Sequence, residues 1–257
     1  MVELTIVGSG TAAPHPWRVS AAHHIRAGGT SLLLDCGPGA VHRMAGVGVE
    51  WHRITHIAVS HFHTDHVGDL PMLLFALKYA LPEPRADELT LILPPGGSAW
   101  IERLAAAFGA YILDPGFAVH VREIEPGTAF ELGEAGSIAA RKTPHTEHSV
   151  AYRVSIGPRS IGYTGDTGVD PGQEEFFRGV DVLIAECSLP DEAAMDVHLT
   201  PSRVAALAQG AQPGQLVLTH LYPRLDGRDV AGMVRAAGWT GPTTIAYDGL
   251  RIRLPDT

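Results

Sequence analysis

Four residues able to ligate a metal ion fall within six positions, His61-Phe62-His63-Thr64-Asp65-His66, directly after the apolar, β-branched run Ile54-Thr55-His56-Ile57-Ala58-Val59. In an extended segment residues i and i+2 point the same way, so His61 and His63 can reach one ion together. A turn after them would face Asp65 and His66 towards a second ion. Imidazole and carboxylate without thiolate suit zinc, manganese or iron. One such cluster cannot complete two coordination shells, so its partners must lie elsewhere in the chain.

Three more apolar runs end in a ligand type. Ala139–Thr143 leads to Pro144-His145, Ser160–Tyr163 to Thr164-Gly165-Asp166-Thr167, and Leu216–Leu218 to Thr219-His220. Singly, each has a bland explanation, since His145 could be a solvated turn residue and Gly-Asp is common in turns. Together the candidates are His61, His63, Asp65, His66, His145, Asp166 and His220. These seven fill two shells if one carboxylate bridges, and Asp166, following a glycine in a tight turn, is placed to approach two ions. Asp65 is also a candidate for orienting a nucleophile.

The elements that must hold these residues alternate along the chain. Strands are expected at Val2–Val7, Ser31–Asp35, Thr90–Leu93, Val119–Ile124, Ala129–Leu132, Ser137–Thr143, Asp181–Glu186 and Gln215–Thr219. Hairpins are expected for Ala151–Ile156 with Ser160–Tyr163, and for Thr243–Tyr247 with Leu250–Leu254 around Asp248-Gly249. Helical spacing of apolar residues marks Asp69–Leu81. Further helices are expected over about 40–45, 201–209 and 229–237, and over Ser98–Phe108 with Ser98 as its N-cap. The Gly8-Ser9-Gly10-Thr11 turn is a poor dinucleotide loop, because Pro14 and Pro16 interrupt any following helix.

Bulk properties narrow the function classes. The 257 residues are 45% hydrophobic and 18% charged, which suits one α/β domain spanning 1–257 with a sizeable core. A net charge of −9 disfavours broad binding to nucleic acid, which depends on neutralising phosphates. Bound metals would reverse the sign locally, so a small phosphate ester is compatible. No run is long enough to span a membrane, and the start reads as a strand, so a cytoplasmic protein is expected. Cys36 and Cys187 are expected to be free, buried thiols. Several of the 14 histidines, His15, His23, His24, His42, His52, His56 and His120, lack any ligand-like setting.

The motif at 61–66, with His145, Gly165-Asp166-Thr167 and His220 in order, resembles the metallo-β-lactamase superfamily, and Leu34-Asp35-Cys36-Gly37 adds to the likeness. The resemblance covers nearly the whole chain. It implies a four-layer αβ/βα sandwich with a dinuclear metal site, two divalent ions such as zinc, at the sheet edges. By the same resemblance His61, His63 and His145 hold one ion, Asp65, His66 and His220 the other, and Asp166 bridges.

Fold alone does not select a substrate. Ala185-Glu186-Cys187-Ser188 followed by His198-Leu199-Thr200 is similar to the glutamate and histidine motifs of the ribonuclease Z-like phosphodiesterase branch. Cleavage of a phosphodiester expels a poor alkoxide, which a histidinium can protonate, and a carboxylate behind the ring stabilises that cation. Glu186 and His198 are therefore candidate catalytic residues beside a hydroxide carried by the metals. No long basic excursion of the kind a tRNA-grasping arm needs interrupts the pattern. The expected function is a phosphodiesterase of small substrates, a cyclic nucleotide or short oligonucleotide. The alternatives are tRNA 3′ processing, ester, lactone or thioester hydrolysis, and a non-catalytic metal-binding role. Relatives suggest a homodimer. His148 reads as a surface residue, with substrate contact as its alternative.

Overall fold

In the computed structural model, which describes residues 1–133 and 136–256, the apolar runs are strands that pair into two mixed sheets. The first has the order β14 (Arg251–Leu254), β1 (Val2–Gly8), β2 (Ala22–Ala27), β3 (Thr30–Leu34), β4 (His56–Ala58), β5 (Leu89–Leu93), β6 (Val119–Glu123). The second has the order β13 (Thr243–Ile245), β12 (Gln215–Thr219), β11 (Val182–Glu186), β10 (Arg159–Tyr163), β9 (Val150–Ile156), β8 (Gly136–Lys142), β7 (Ala129–Glu131). Strands β3 to β6 run parallel in one sheet and β10 to β13 in the other. Parallel strands carry helices on their faces and place functional residues at their carboxyl ends.

The sheets stack through Leu4, Ile6, Ile25, Leu32 and Leu34 on one side and Ile138, Tyr152, Val154, Ile184 and Val217 on the other, all buried. Outside the first sheet lie α1 (Ala40–Gly46), α3 (Leu70–Tyr79) and α4 (Gly97–Phe108), through Met44, Leu70, Leu73, Leu74, Leu77 and Ile101. Outside the second lie α6 (Pro201–Ala211) and α7 (Val230–Ala236), through Val204, Leu207, Ala208, Val230 and Val234. The result is the four-layer αβ/βα sandwich expected. Each such buried leucine or isoleucine contributes about 1.5–3 kcal/mol. Short helices α2 (Thr64–Val67) and α5 (Gly172–Phe176) turn the chain beside the metal-ligand candidates. Among the described residues no helix is long and apolar enough to cross a membrane. Cys36 and Cys187 are both buried and free.

Three expectations need correction. Strand β2 was not anticipated, because His23 and His24 interrupt its apolar pattern, yet both are buried, His24 through a 2.8 Å bond between its Nε2 and Ser31 Oγ. The C-terminal strands are not a hairpin: β13 joins β12 in the second sheet while β14 crosses to pair with β1 in the first. Between them Asp248 lies in a turn and is also a fastener, accepting from Ser9 N–H, Ser9 Oγ and Val19 N–H at 3.0, 2.8 and 2.8 Å. Helix α4 begins at Gly97, and Glu123 at the end of β6 supplies the acceptors expected of Ser98, taking the Gly96 and Ser98 N–H at 3.1 and 2.7 Å.

Candidate metal centre

The carboxyl ends of the parallel strands in both sheets meet at one edge. His61, His63, Asp65 and His66 follow β4, and His145, Asp166 and His220 follow β8, β10 and β12. Ligand atoms of His61, His63 and His145 lie within 4.8 Å of one another, as do those of Asp65, His66 and His220. A third group joins His61 and His66 to Asp166, and a fourth joins His145, Asp166 and His198. Asp166 turns one oxygen to each side: Oδ1 is 3.4 Å from His66 Nε2 and 3.6 Å from His220 Nε2, and Oδ2 is 3.7 Å from His145 Nε2. Asp65 Oδ2 lies 3.3 Å from His220 Nε2. All seven candidates from the sequence are thus brought together.

Hydrogen bonds behind the ring fix four of the five ligand imidazoles, as is usual for metal-ligating histidines, while His63 Nδ1 faces His145 Nε2 at 3.1 Å. Two buried carboxylates do most of this. Asp35, closing β3, accepts from His66 Nδ1 at 2.7 Å, Tyr163 Oη at 2.6 Å, and Ser60 N–H and Oγ at 2.6 and 2.7 Å. Because Ser60 Oγ spends its proton on Asp35, it accepts from His61 Nδ1 at 3.1 Å. In the other sheet Glu186, closing β11, accepts from His198 Nδ1 at 3.0 Å, Thr167 N–H at 2.7 Å, Leu199 N–H at 3.3 Å, and Ser188 Oγ. Ser188 Oγ in turn accepts from His220 Nδ1 at 3.0 Å. Each carboxylate therefore orients one histidine directly and a second through a serine. His145 Nδ1 is held by Val197 O at 3.1 Å. The Nε2 atoms of His61, His66, His145 and His220 are left facing inward.

Sequence reasoning missed Asp35, Ser60, Ser188 and Tyr163 as supports. The available signal was a polar residue at or just beyond the end of an apolar strand, and of the four only Ser60 adjoins a ligand candidate, His61. Asp35 and His220 carry positive φ, 58° and 57°. For a side-chain-bearing residue that conformation is strained, and such strain persists where surrounding bonds over-determine it.

The charge balance suits cations. Burial, with help from neighbouring His66, holds His61 well below the usual histidine range, and burial lowers His145, so both rings are neutral at pH 7. Burial alone would raise the Asp166 carboxyl, but His220 and His66 hold it well below the usual range. Burial likewise opposes the His66 cation, yet Asp166 and Asp35 overcome it and push its pKa well up. Buried carboxylates calling for positive charge among neutral rings describe a cation site. Its unpaired atoms agree: His61 Nε2, His66 Nε2 and Asp166 Oδ1 are buried without a hydrogen-bond partner. A buried polar atom left so costs about 1–3 kcal/mol, which a bound ion would recover. The donor set of imidazole and carboxylate fits zinc, manganese or iron.

The centre opens to solvent at His63, which is exposed. Beside Asp65 a cleft of 440 Å³ runs along Pro14, His15, Arg18, Pro38 and Thr64, with Arg18 tied to Asp226. His148 stays outside the ligand groups, its ring tilted against Phe62 with centroids 5.6 Å apart. That ring also crowds Gly96, whose φ of +85° and lack of room for a Cβ explain the glycine there. His198 is partly buried. Burial would lower its pKa, but the Glu186 bond and charge raise it above the usual value.

Comparison with known proteins gives the same family from several directions. A family model described as "Beta-lactamase superfamily domain" matches residues 30–221. A ribonuclease Z of Mycobacterium avium is 31% identical over 249 residues, 88% of each chain. Human tRNase Z, short form, superposes with a TM-score of 0.79 at 25% identity, over 99% of this chain and all of that one. The metallo-beta-lactamase fold protein YhfI of Bacillus subtilis superposes with a TM-score of 0.83 at 22% identity, over 98% of both chains, and this speaks to the fold alone.

Proposed function

The chain belongs to the metallo-β-lactamase superfamily, on its ribonuclease Z-like branch of metal-dependent hydrolases, and we propose that it cleaves small phosphodiesters such as cyclic nucleotides or short oligonucleotides. His61, His63 and His145 would hold one divalent ion, Asp65, His66 and His220 a second, with Asp166 between them. Two such ions, when bound, supply a nucleophile from water at neutral pH and neutralise charge on phosphoryl oxygens.

The chain's own residues supply the rest. Asp65 and Asp166, carboxylates at the centre of the ligand set, orient the attacking water by accepting its hydrogen bonds. His198 donates a proton from Nε2 to the departing alkoxide. Glu186, bonded to Nδ1 of that ring, stabilises the cation and keeps its donor edge turned inward. Asp35 and Glu186, through their bonds to rings and serines, keep four imidazoles, His61, His66, His198 and His220, in one tautomer before substrate arrives.

The observation that carries the phosphodiester reading is the Glu186–His198 pair, set within one ring's width of the ligand His145: the His145 and His198 ring centroids are 4.9 Å apart. A thioester, whose thiolate departs unaided, gives such an imidazolium less to do, whereas alkyl esters and lactones also expel an alkoxide and are separated by assay.

A second reading, tRNA 3′ processing, is favoured by the name of the Mycobacterium avium relative, of which the match covers 88%. The net charge of −9 weighs towards small substrates. Assays at matched metal load, on bis(p-nitrophenyl) phosphate, cyclic nucleotides, a short oligonucleotide, a tRNA precursor with a 3′ trailer and an acyl ester panel, decide between them. Turnover confined to acyl esters refutes the phosphodiester reading, and a strong preference for the tRNA precursor replaces the first reading by the second.

A further inference from the structure

Tyr222 has no part in the chemistry above, yet it stands within the site. Its ring lies edge-on to His220, with centroids 5.6 Å apart and planes at 77°, and its centroid is 6.3 Å from that of His198. The side chain is half-buried. Its backbone is fixed: Tyr222 N–H donates to Ser188 O at 3.2 Å, Leu225 N–H donates to Tyr222 O at 2.9 Å, and the following Pro223 confines Tyr222 to extended backbone.

The two tyrosines buried beneath the centre both satisfy their hydroxyls, Tyr152 on Val59 O at 2.7 Å and Tyr163 on Asp35 at 2.6 Å. The Tyr222 hydroxyl makes no hydrogen bond to any described residue. A ring held in place by packing, with its polar tip left free at a site mouth, has the form of a ligand contact. His198 marks the side from which the leaving oxygen departs, and Tyr222 is the aromatic neighbour of His198 on the His220 side.

We propose that Tyr222 is a specificity residue whose hydroxyl donates a hydrogen bond to an oxygen of the organic group beside the scissile bond. The substrate would then be a phosphodiester whose alcohol carries a further oxygen acceptor, as the sugar of a nucleotide does. This rests on the phosphodiesterase reading for the side assigned to His198.

The test measures binding to the metal-loaded protein and its Y222F variant, with two probes. One is inorganic phosphate. The other is a slowly hydrolysed cyclic nucleotide phosphorothioate, whose sugar is attached on both sides of phosphorus. Loss of one hydrogen bond to a ligand oxygen should weaken the analogue about tenfold in Y222F while phosphate binding stays unchanged. Unchanged affinity for the analogue overturns the proposal. Equal weakening of both probes also overturns it, since Tyr222 would then grip the phosphoryl group. Wild-type protein that binds the analogue no better than phosphate overturns it too. Wild-type turnover of diesters against acyl esters, run on the same preparation, scores the phosphodiesterase reading separately, because the binding arms need no turnover.

Discussion

Glu186→Gln isolates one charge at nearly constant volume. Glu186 is buried, and its two oxygens accept from His198 Nδ1 at 3.0 Å, Thr167 N–H at 2.7 Å, Leu199 N–H at 3.3 Å and Ser188 Oγ. Glutamine keeps one acceptor and turns an NH₂ towards donors. A hydrogen bond to a charged group is worth about 1.5–3 kcal/mol, which corresponds to roughly 10- to 150-fold in rate at about 1.4 kcal/mol per factor of ten. That loss should fall on substrates with alkoxide leaving groups, which need a proton from His198. Bis(p-nitrophenyl) phosphate, whose leaving group departs unaided, should lose less than about threefold by the same general-acid argument. A pH dependence accompanies this. Burial lowers the His198 pKa but Glu186 outweighs it, so the folded value is raised, and the acid form is lost as pH climbs through that value. Removing the carboxylate lowers the pKa, so the alkaline limb of kcat moves to lower pH. Steady-state kinetics across pH on both substrate types, with metal content matched, reads all of this. Equal losses on both substrates, or an alkaline limb that stays in place, would refute the general-acid role.

Asp35→Asn removes the anion behind His66 and Ser60 while leaving all seven ligand candidates in place. Metal affinity, measured by competition with a chelator, should fall by about 10- to 100-fold, and unaltered affinity would show that Asp35 only fills space. Asp166→Asn should drop the metal content, read by elemental analysis, from two ions per chain to one or none, because a neutral amide cannot serve both sides. Two ions retained would exclude a bridging carboxylate. In acid, buried His23 and His24 should destabilise the fold: burial depresses their pKa from the ordinary 6.5 to about 3 and about 4. The unfolded chain then binds more protons between pH 6.5 and those values, so stability falls as pH drops through that window, by about 1.4 kcal/mol per unit for each group. Urea unfolding of chelator-treated protein from pH 7 to 4 should show a slope about one proton shallower in His23→Leu, and parallel slopes would contradict a neutral, buried His23.

The ligands were legible in the sequence because chemistry-bearing residues interrupt apolar runs at strand ends, where a merely structural chain would place turn residues. His61 to His66, His145, Asp166 and His220 all announce themselves this way. Glu186 and His198 needed a likeness to a known branch, since a lone strand-end acid and a loop histidine say little by themselves. Asp35 was quoted for that likeness but given no task, because its task exists only once β4 and β10 lie beside β3 and bring Ser60, His66 and Tyr163 around it. Strand β2 was hidden by two histidines that read as structural or surface residues and prove to be buried. The Asp248-Gly249 turn signal was real locally, but a turn does not say whether the strands on either side share a sheet. Here Asp248 instead fastens Ser9 and Val19, residues more than 200 positions away.

The division of the ligand set between the two sheets has a consequence for how the molecule is assembled. Every ligand candidate before the crossing at Pro126-Gly127 belongs to the first sheet, and every one after it to the second. Cutting the chain there yields two fragments, each with an incomplete shell. The C-terminal fragment also carries β14, the strand that completes the first sheet beside β1. Reassociation of the fragments would be driven by the apolar face between the sheets, with β14 added at one margin and shared ions at the other. The metals would then act as a clasp between halves, and chelation should release the fragments at protein concentrations where the uncut chain stays folded.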